Sequence, residues 1–387
     1  MEFLSFDNFI SLIIVFISWI LILFLLSAKT KNRLSNYILV AFLLVFAQDS
    51  SGLFASFFIY PKYPGLGLLI NSTVFLKMPL LYLYLLSVIY SDFKLTKKLL
   101  WHLIPFVLNF IIFLPRYYLA DFDAKWAFLN TEDYYRIPEI ILSYTLVHLQ
   151  IVLYGLLSFL LIKKYKRLLL ENFSNASLFN YNWLFQLVGI IMLSALIATL
   201  KNIFKFIHVD EAYKYTYFAT AMVTLGLISW MVLKALHNPE IFRGINSDLQ
   251  LIKNFNPGDL RKQTGEQKEV TETDEIASLK RYMDNNEPFL DPSLSVEELA
   301  TQVNMPTKEL SFLINHDLNQ HFFDFVNSYR IQKAKKILEN QEKSNLTILE
   351  ILYEVGFNSK SSFNTAFKRH TDTTPTEYRK NNLKSAS

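Results

Sequence analysis

Cysteine is absent from all 387 residues of the chain, which excludes disulfide bonds and every metal site that needs a cysteine ligand. Residues 1–8 contain no Lys or Arg and no small-residue cleavage site follows them, so the sequence predicts no cleaved signal peptide. Charged residues are scarce as far as His237, where nearly all of them fall in short gaps between apolar runs. From Pro239 onward polar residues dominate, and this change of composition predicts a domain boundary.

The apolar runs before His237 are long enough to cross a membrane. A span needs about 20 mainly apolar residues, and it must be helical because unpaired backbone groups cannot be hydrated inside a bilayer. The sequence predicts seven spans, at residues 9–28, 36–60, 66–90, 99–115, 137–162, 183–204 and 215–236. Seven spans place the two ends of the chain on opposite sides of the membrane.

Basic residues indicate the orientation of these spans, because cytoplasmic loops carry an excess of Lys and Arg. The loops after the first, third and fifth spans are rich in basic residues and poor in acidic ones. These basic residues are Lys29, Lys31, Arg33, Lys94, Lys97, Lys98, Lys163, Lys164, Lys166 and Arg167. We therefore predict a multi-pass protein of the inner (cytoplasmic) membrane, with its N-terminus outside and everything after residue 236 in the cytoplasm.

Two charged residues fall inside neighbouring predicted spans. Asp49 lies thirteen residues after the cytoplasmic start of span two, and Lys77 lies thirteen residues before the cytoplasmic end of span three, so both are at the same depth. Charged groups inside a membrane are costly and are usually paired. An ion pair between Asp49 and Lys77 either neutralises itself and fixes the helix register, or it forms a polar ligand-binding or switching centre.

The rest of the apolar half gives few chemical signals. The predicted outer loop at residues 116–136 is rich in aromatic residues, which form either an interfacial belt or a ligand-sensing lid. No metal-ligand spacing, nucleophile elbow or phosphate loop occurs in this half, so the sequence predicts neither an enzyme nor a cofactor. We divide the chain into a seven-transmembrane sensor domain at 1–242, a flexible cytoplasmic linker at 243–275 and a C-terminal domain at 276–387.

Helix start signals recur in the C-terminal domain. In a capping box, a Ser or Thr at the N-cap and a Glu three residues later each accept a backbone hydrogen bond from the other residue. Three boxes occur: Ser295 with Glu298, Thr347 with Glu350, and Thr374 with Glu377. They predict a compact all-helical domain. From Ile276 onward fourteen Lys and Arg balance fourteen Asp and Glu, so bulk charge alone does not indicate nucleic acid.

The first two capping boxes open a repeat. Ser295, Val296, Leu299, Val303 and Met305 recur fifty-two positions later as Thr347, Ile348, Ile351, Val355 and Phe357. In each copy an apolar-striped helix leads through a turn, at Asn304 or Gly356, to a second helix. Asn and Gly tolerate the positive φ that such a turn requires. The sequence therefore predicts two helix-turn-helix units joined by a helix at residues 322–338.

Apolar anchors determine which side of each second helix faces outward. They are Leu310 with Ile314 in the first unit and Phe363 with Phe367 in the second. The predicted outward residues are Lys308, Ser311, Asn315, Lys360, Ser361, Asn364, Thr365 and Lys368. Their side chains donate hydrogen bonds that base edges and phosphates accept. Each surface either reads DNA or is an ordinary solvated surface, and two units in tandem favour DNA.

Three segments of the C-terminal domain carry a family resemblance: "SVEELATQVNMPTKELSFLIN", "VNSYRIQKAKKIL" and "ILYEVGFNSKSSFNTAFKRHTDTTPTEYR". With them, residues 279–379 resemble the AraC/XylS-type transcription regulator domain. The resemblance implies seven helices, two of which enter successive major grooves about one helical turn apart. The groove readers that it implies are Lys308, Ser311, Phe312, Lys360, Ser361, Ser362 and Thr365. Two positions depart from the family: Leu352 replaces a small Ala, and Asp372 replaces Gly.

The whole arrangement also resembles bacterial membrane-bound regulators in which a seven-helix sensor is fused to an AraC-type module. We predict an all-α protein with a seven-transmembrane helix bundle, followed by an all-helical domain with two helix-turn-helix units. The predicted function is a membrane-bound one-component transcription regulator. Its predicted partners are double-stranded promoter DNA, the lipid bilayer, a small-molecule or membrane signal, a second copy of the chain and RNA polymerase. The alternatives are a membrane transporter or intramembrane enzyme with a regulatory tail, and a tail that binds protein instead of DNA.

Overall fold

The computed structural model describes residues 6–27, 33–90, 92–174, 181–237, 272–343 and 345–385. Within these ranges the chain is almost entirely helical and contains no strand, although an isolated antiparallel bridge joins Phe173 to Ser295. The all-α prediction is therefore confirmed. Most of the predicted linker at residues 243–275 lies outside the described residues, and its last positions begin a helix at Glu272.

The chain divides into two compact units. Unit 1 comprises Met1–Lys163 and Asn180–Ser247, and unit 2 comprises Lys164–Phe179 and Asp248–Ser387. The helices before residue 238 are α1 Phe6–Ser27, α2 Arg33–Ser50, α3 Gly52–Phe58, α4 Pro64–Ser72, α5 Val74–Ile89, α6 Ile104–Phe113, α7 Phe122–Leu129, α8 Pro138–Asn172, α9 Tyr181–Phe206 and α10 Asp210–His237. The division falls inside α8, whose residues from Lys164 onward belong to unit 2.

Six helical segments in the described part of the chain are long and apolar enough to cross a membrane. They are Phe9–Ser27, Pro64–Ile89, Lys97–Tyr118, Pro138–Asn172, Asn182–Phe206 and Asp210–Lys234. Each of the six overlaps a span that the sequence predicts. The sequence predicts seven, and the one without a counterpart is span two at residues 36–60.

Span two is divided between two helices. α2 ends at Ser50 and α3 begins at Gly52, because a Ser-Ser-Gly sequence weakens the continuation of a helix. Half of the residues of α2 are buried, and α2 packs against α1 and α5. A helix that its neighbours shield needs less apolar surface than one that faces lipid. This shielding explains why α2 tolerates the buried Asn36, whereas Asp49 is exposed and is paired with Lys77.

Unit 2 contains seven α-helices in its described residues from 272 onward, as the family resemblance implies. They are α11 Glu272–Asn286, α12 Val296–Gln302, α13 Thr307–Phe312, α14 Phe322–Glu339, α15 Ile348–Glu354, α16 Lys360–Thr371 and α17 Pro375–Ser385. The three predicted capping boxes are present at the starts of α12, α15 and α17. Asn304 and Gly356 have positive φ values of 55° and 87°, so the predicted turn conformations are also confirmed.

Two hydrophobic cores lie within unit 2. The first forms among α11, α12 and α13, and the second forms between α15 and α16. Helix α14 contributes to both: to the first core through Phe322, Phe325 and Val326, and to the second through Ile331, Ala334, Ile337 and Leu338. Each helix-turn-helix unit therefore has its own core, and α14 is the connector that the sequence predicts at residues 322–338.

Candidate nucleic-acid interface

The first helix-turn-helix unit presents a short second helix. α13 has six residues before the chain enters a π-helical turn, Leu313–Asp317. Lys308 is exposed on this helix. Phe312 is half-buried and stacks on His316, with the ring centroids 4.4 Å apart. Asn315 is also half-buried, and its amide nitrogen donates to a backbone carbonyl one turn earlier at 2.8 Å.

Ser311 is buried in the first helix-turn-helix unit. It is only 7% exposed, so the prediction that Ser311 faces outward is wrong. Ser311 directly follows the buried anchor Leu310, and the next buried residues are Leu313 and Ile314. The buried side of this helix is therefore broader than two anchors four residues apart predict.

The second helix-turn-helix unit presents a longer second helix, α16, with twelve residues. Four of the predicted readers on it are exposed, and they are Lys360, Ser361, Thr365 and Lys368. Ser362 and Asn364 are half-buried. Ser359 caps the helix by accepting from Ser362 N at 3.2 Å, and the Ser359 hydroxyl donates to Ser362 Oγ at 2.9 Å. Ser362 therefore takes part in the helix start.

The exposed side of α16 has a suitable chemistry and size for a DNA groove. An α-helix with its side chains is about 10–12 Å across, and Lys360 and Lys368 lie eight positions apart along α16. The major groove of B-DNA is about 12 Å wide. The lysine ammonium groups can contact phosphates, and the hydroxyls of Ser361 and Thr365 can bond to base edges. α13 offers fewer exposed donors, so α16 is the larger candidate reading surface.

An ion pair that no sequence pattern indicates holds α16 against the connector. Arg369 Nη1 lies 2.7 Å from Asp324 Oδ1, and Arg369 Nη2 lies 3.3 Å from Asp324 Oδ2, which is a bidentate geometry. Asp324 belongs to the first turn of α14, and Arg369 belongs to the last turn of α16. The pair links α16 to the end of α14 that packs in the first core.

Arg330 in α14 is fully buried. Its Nε donates to Phe289 O at 2.6 Å, and its Nη2 donates to Asp291 O at 2.7 Å. Burial lowers the pKa of Arg330 to about 10, so the group is still charged at neutral pH. A sequence signal does exist, because Arg330 lies on the apolar side of α14, four residues after Val326 and four before Ala334.

Arg330 also contacts the segment of unit 2 that follows α8. Its Nη1 lies 3.3 Å from Ser174 O, and its Nη2 lies 3.1 Å from Ser174 Oγ. Asn327 Nδ2 donates to the same carbonyl at 3.3 Å, and Ser174 N donates to Leu294 O at 3.1 Å. We call this group of hydrogen bonds the Ser174 contact. It fastens the residues after α8 to the first helix-turn-helix unit through backbone and side-chain groups alike.

In unit 1 the structure brings Asp49 and Lys77 together. Lys77 Nζ lies 2.9 Å from Asp49 Oδ2 and 4.9 Å from the centre of the Phe46 ring. Both charged residues line a cavity of about 230 Å³. His148 lines the same cavity, and its Nε2 lies 3.4 Å from Asn202 Nδ2. Among the residues that the structure describes, no cluster of three His, Asp or Glu side chains is arranged to hold a metal ion.

Comparisons with known proteins place a domain of known type in unit 2. Residues 299–381 match the family model described as "Helix-turn-helix domain". Over 89 residues, 23% of the chain, the sequence is 35% identical to the uncharacterized HTH-type transcriptional regulator YdeC of Bacillus subtilis (strain 168), and it covers 30% of that protein. Over 86 residues, 22% of the chain, it is 36% identical to an uncharacterized HTH-type transcriptional regulator of Staphylococcus aureus (strain COL), and it covers 11% of that protein.

The similarity to these relatives is therefore limited to a part of each protein. The chain covers less than a third of the length of either one. No solved structure matches the chain. What the match and the geometry both support is that residues 299–381 form a helix-turn-helix domain of the AraC type.

Proposed function

We propose that this chain is a membrane-bound one-component transcription regulator that binds promoter DNA in a sequence-specific way. One observation carries the proposal: a single polypeptide contains both a helix-turn-helix domain with exposed lysines on α16 and six helices apolar enough to cross a membrane. Double-stranded DNA suits the first part and the lipid bilayer suits the second. The function requires neither catalysis nor a cofactor. RNA polymerase and a second copy of the chain are further proposed partners.

The proposed location is the inner (cytoplasmic) membrane, with α2 as a seventh span. α2 starts six residues after the end of α1 and packs against it, as antiparallel neighbours do. A helix of 18 residues is about 27 Å long, close to the hydrocarbon thickness of about 30 Å. With seven spans the N-terminus is outside and the helix-turn-helix domain is in the cytoplasm, where it can reach promoter DNA.

We propose that the signal reaches the DNA-binding domain partly through α8. This helix belongs to unit 1 as far as Lys163 and to unit 2 from Lys164. Two residues after its end, Ser174 forms hydrogen bonds with Arg330 and its neighbours. A small-molecule or membrane signal shifts unit 1 between two states only if its affinity for them differs. The continuous helix α8 and the Ser174 contact together support a route by which such a shift reaches the DNA-binding domain. This route is additional to the chain segment that follows α10.

DNA capture and footprinting with the full-length protein in detergent test the DNA-binding function. Genomic fragments of the host that the protein retains are footprinted at low salt, where phosphate contacts are strongest. We expect protection of two neighbouring stretches about one helical turn apart. If no captured fragment is protected while a protein partner is retained, the domain binds protein and the proposed function is wrong.

Lysine variants show whether the two reading helices make the contacts. Lys360→Ala and Lys308→Ala should each weaken binding and reduce the salt dependence by about one counterion, because each removes one phosphate contact. Lys280→Ala is the matched control, since Lys280 is also exposed but lies in α11. Its DNA affinity should equal that of the wild type. Equal losses in all three variants would mean that general positive charge, and not the helix-turn-helix surface, binds the DNA.

A further inference from the structure

We propose that the helix bundle of unit 1 binds an organic anion, with its acidic group among Lys77, Lys201 and Lys205 and its apolar body against aromatic side chains. This inference rests on the proposed sensing function and names the chemical class of the signal. The site combines two cavities, an excess of cationic side chains and an aromatic wall.

Two cavities adjoin in unit 1. The smaller, of about 230 Å³, lies among α1, α2, α5, α8, α9 and α10. The larger, of about 700 Å³, is lined by residues of α3, α4, α6 and α7 as well as by α2, α5, α8 and α9. Five residues line both cavities, so the two meet there: Asp49, Val74, Val147, Lys201 and Asn202. The larger volume is within the range of about 300–1,000 Å³ that is typical of small-molecule sites.

Cationic side chains outnumber carboxylates around these cavities. The lysines are Lys77, Lys201 and Lys205, whereas the carboxylates are Asp49 and the exposed Glu132. Asp49 is already bonded to Lys77. Within the described residues, neither Lys201 nor Lys205 has a carboxylate oxygen within 4 Å, and the Asp49 carboxylate, which already pairs with Lys77, is the carboxylate whose charge also acts on Lys201. Positive charge inside an apolar bundle is costly without a partner, so the site favours an anion over a neutral or cationic ligand.

Aromatic rings orient the two lysines of α9. Lys201 Nζ lies 5.7 Å from the centre of the Tyr217 ring. Lys205 Nζ lies 4.5 Å from the centre of the Tyr135 ring and 5.3 Å from that of Tyr213. A ring face attracts an ammonium group but does not neutralise its charge. The charges of both lysines therefore remain able to attract a carboxylate or phosphate group.

The aromatic outer loop supplies a wall for the apolar body of the ligand. Trp126 and Tyr135 from this loop line the larger cavity together with Tyr144 from α8. The Tyr135 ring also packs edge-on against Phe206, with centroids 5.4 Å apart. Of the two sequence-based interpretations of this loop, this position favours the ligand-sensing lid over the interfacial belt.

Three probes of similar size test the charge preference on the full-length protein in a neutral detergent. They are 4-phenylbutyrate, its uncharged amide and the cationic amine 4-phenylbutylamine. A compound that binds only the folded state raises the midpoint of thermal unfolding with its concentration. We expect a saturable rise with 4-phenylbutyrate and none with the other two. An equal rise with the amide overturns the proposal.

Variants test which residues hold the anion. Lys201→Gln and Lys205→Gln should each raise the Kd for 4-phenylbutyrate by about tenfold or more, because each removes a charge-assisted hydrogen bond. Lys163→Gln changes an exposed lysine outside both cavities and should leave the Kd unchanged. Lys205→Arg keeps the charge and should keep the preference for the carboxylate. This variant separates a loss of binding that is due to the lost charge from one that is due to a destabilised bundle. Unchanged binding in both Lys→Gln variants of α9 overturns the assignment.

Lipid nanodiscs distinguish a diffusible anion from a lipid headgroup. If phosphatidylglycerol discs raise the midpoint relative to phosphatidylcholine discs, and the Gln variants of α9 lose this rise, a lipid phosphate is the anion. If only added 4-phenylbutyrate has a lysine-dependent effect, the anion is diffusible. No lysine-dependent rise in either disc overturns the inference. Footprinting the same preparations tests the two proposals separately. DNA protection without a preference for the anion contradicts only the anion site, whereas missing DNA protection contradicts the proposed regulator function.

Discussion

The turn of the second helix-turn-helix unit depends on Gly356, whose φ is 87°. A Cβ atom at this position would lie 2.6 Å from Phe289 O and 2.7 Å from Leu290 O, so a side chain would force the backbone to move. The same Phe289 carbonyl accepts a hydrogen bond from Arg330. The missing side chain thus lets the turn at Gly356 approach the backbone of Phe289 and Leu290, at the place where Arg330 holds that backbone.

Gly356→Ala should therefore destabilise unit 2 by more than about 1–2 kcal/mol, which is the cost of a left-handed conformation alone. Asn304→Ala is the matched comparison, because Asn304 has a similar φ of 55° at the equivalent turn. Hydrogen exchange of the α12 and α15 amides in the full-length protein measures both effects. Equal losses of stability in the two variants would mean that the close approach at Gly356 adds nothing to the destabilisation that its positive φ causes.

At the scale of single elements, the capping boxes couple helix ends to protonation. Thr374 N donates to Glu377 Oε2 at 2.9 Å, and this bond lowers the pKa of Glu377 below its ordinary value of 4.5. The equivalent bond from Thr347 N lowers the pKa of Glu350. A carboxylate with a lowered pKa stabilises the folded state fully above its ordinary pKa, and this contribution is lost as the pH falls through the folded value.

The starts of α15 and α17 should therefore open more easily when the pH falls from about 6 to about 3. Glu377→Gln should remove this pH dependence at α17 and leave it at α15, because Gln can still cap the helix but does not titrate. Hydrogen exchange, corrected for the intrinsic rate at each pH, gives the opening free energy of each helix start. A wild-type α17 start that opens equally at both pH values contradicts the prediction.

Elements were predictable from the sequence where their causes are local. Each capping box depends on two residues three positions apart, and the turns at Asn304 and Gly356 depend on one residue each. Ser311 was misplaced because two anchors alone set the predicted orientation, whereas Leu310, Leu313 and Ile314 around it are all buried. The end of α2 at Ser50 is also a local effect, because the polar residues 48–51 and Gly52 interrupt the apolar run there, although the sequence-based span 36–60 runs across them.

The candidate site was predictable only in part for the same reason. Lys360 and Thr365 are exposed where the apolar anchors predict, since the anchors lie on the same helix. Most partners of Arg330, such as Phe289 O and Ser174 O, lie far away in the chain, and no pattern of neighbours specifies them. The DNA-binding roles of the individual residues stay predictions.

At the scale of the whole molecule, the Ser174 contact is expected to carry the signal. Ser174→Pro removes the N–H that donates to Leu294 O, whereas Ser174→Ala removes only the hydroxyl that contacts Arg330. Ser174→Pro should leave the DNA affinity of the full-length protein unchanged but abolish the change in promoter activity between two growth conditions. Ser174→Ala should reduce that change. A wild-type response in Ser174→Pro would show that the signal takes another route.

The sharing of α14 between two cores has a consequence for the arrangement of the operator. Adding one residue to a helix turns everything beyond it by about 100°, whereas adding one base pair turns the duplex by about 36°. A one-residue insertion in Phe322–Glu339 would therefore rotate α16 by a different angle from the rotation that one extra base pair between the half-sites produces. In the proposed complex with DNA, substitutions on α13 and α16 leave this phase untouched, so we expect the base sequences of the operators to diverge far more freely than the distance between their half-sites.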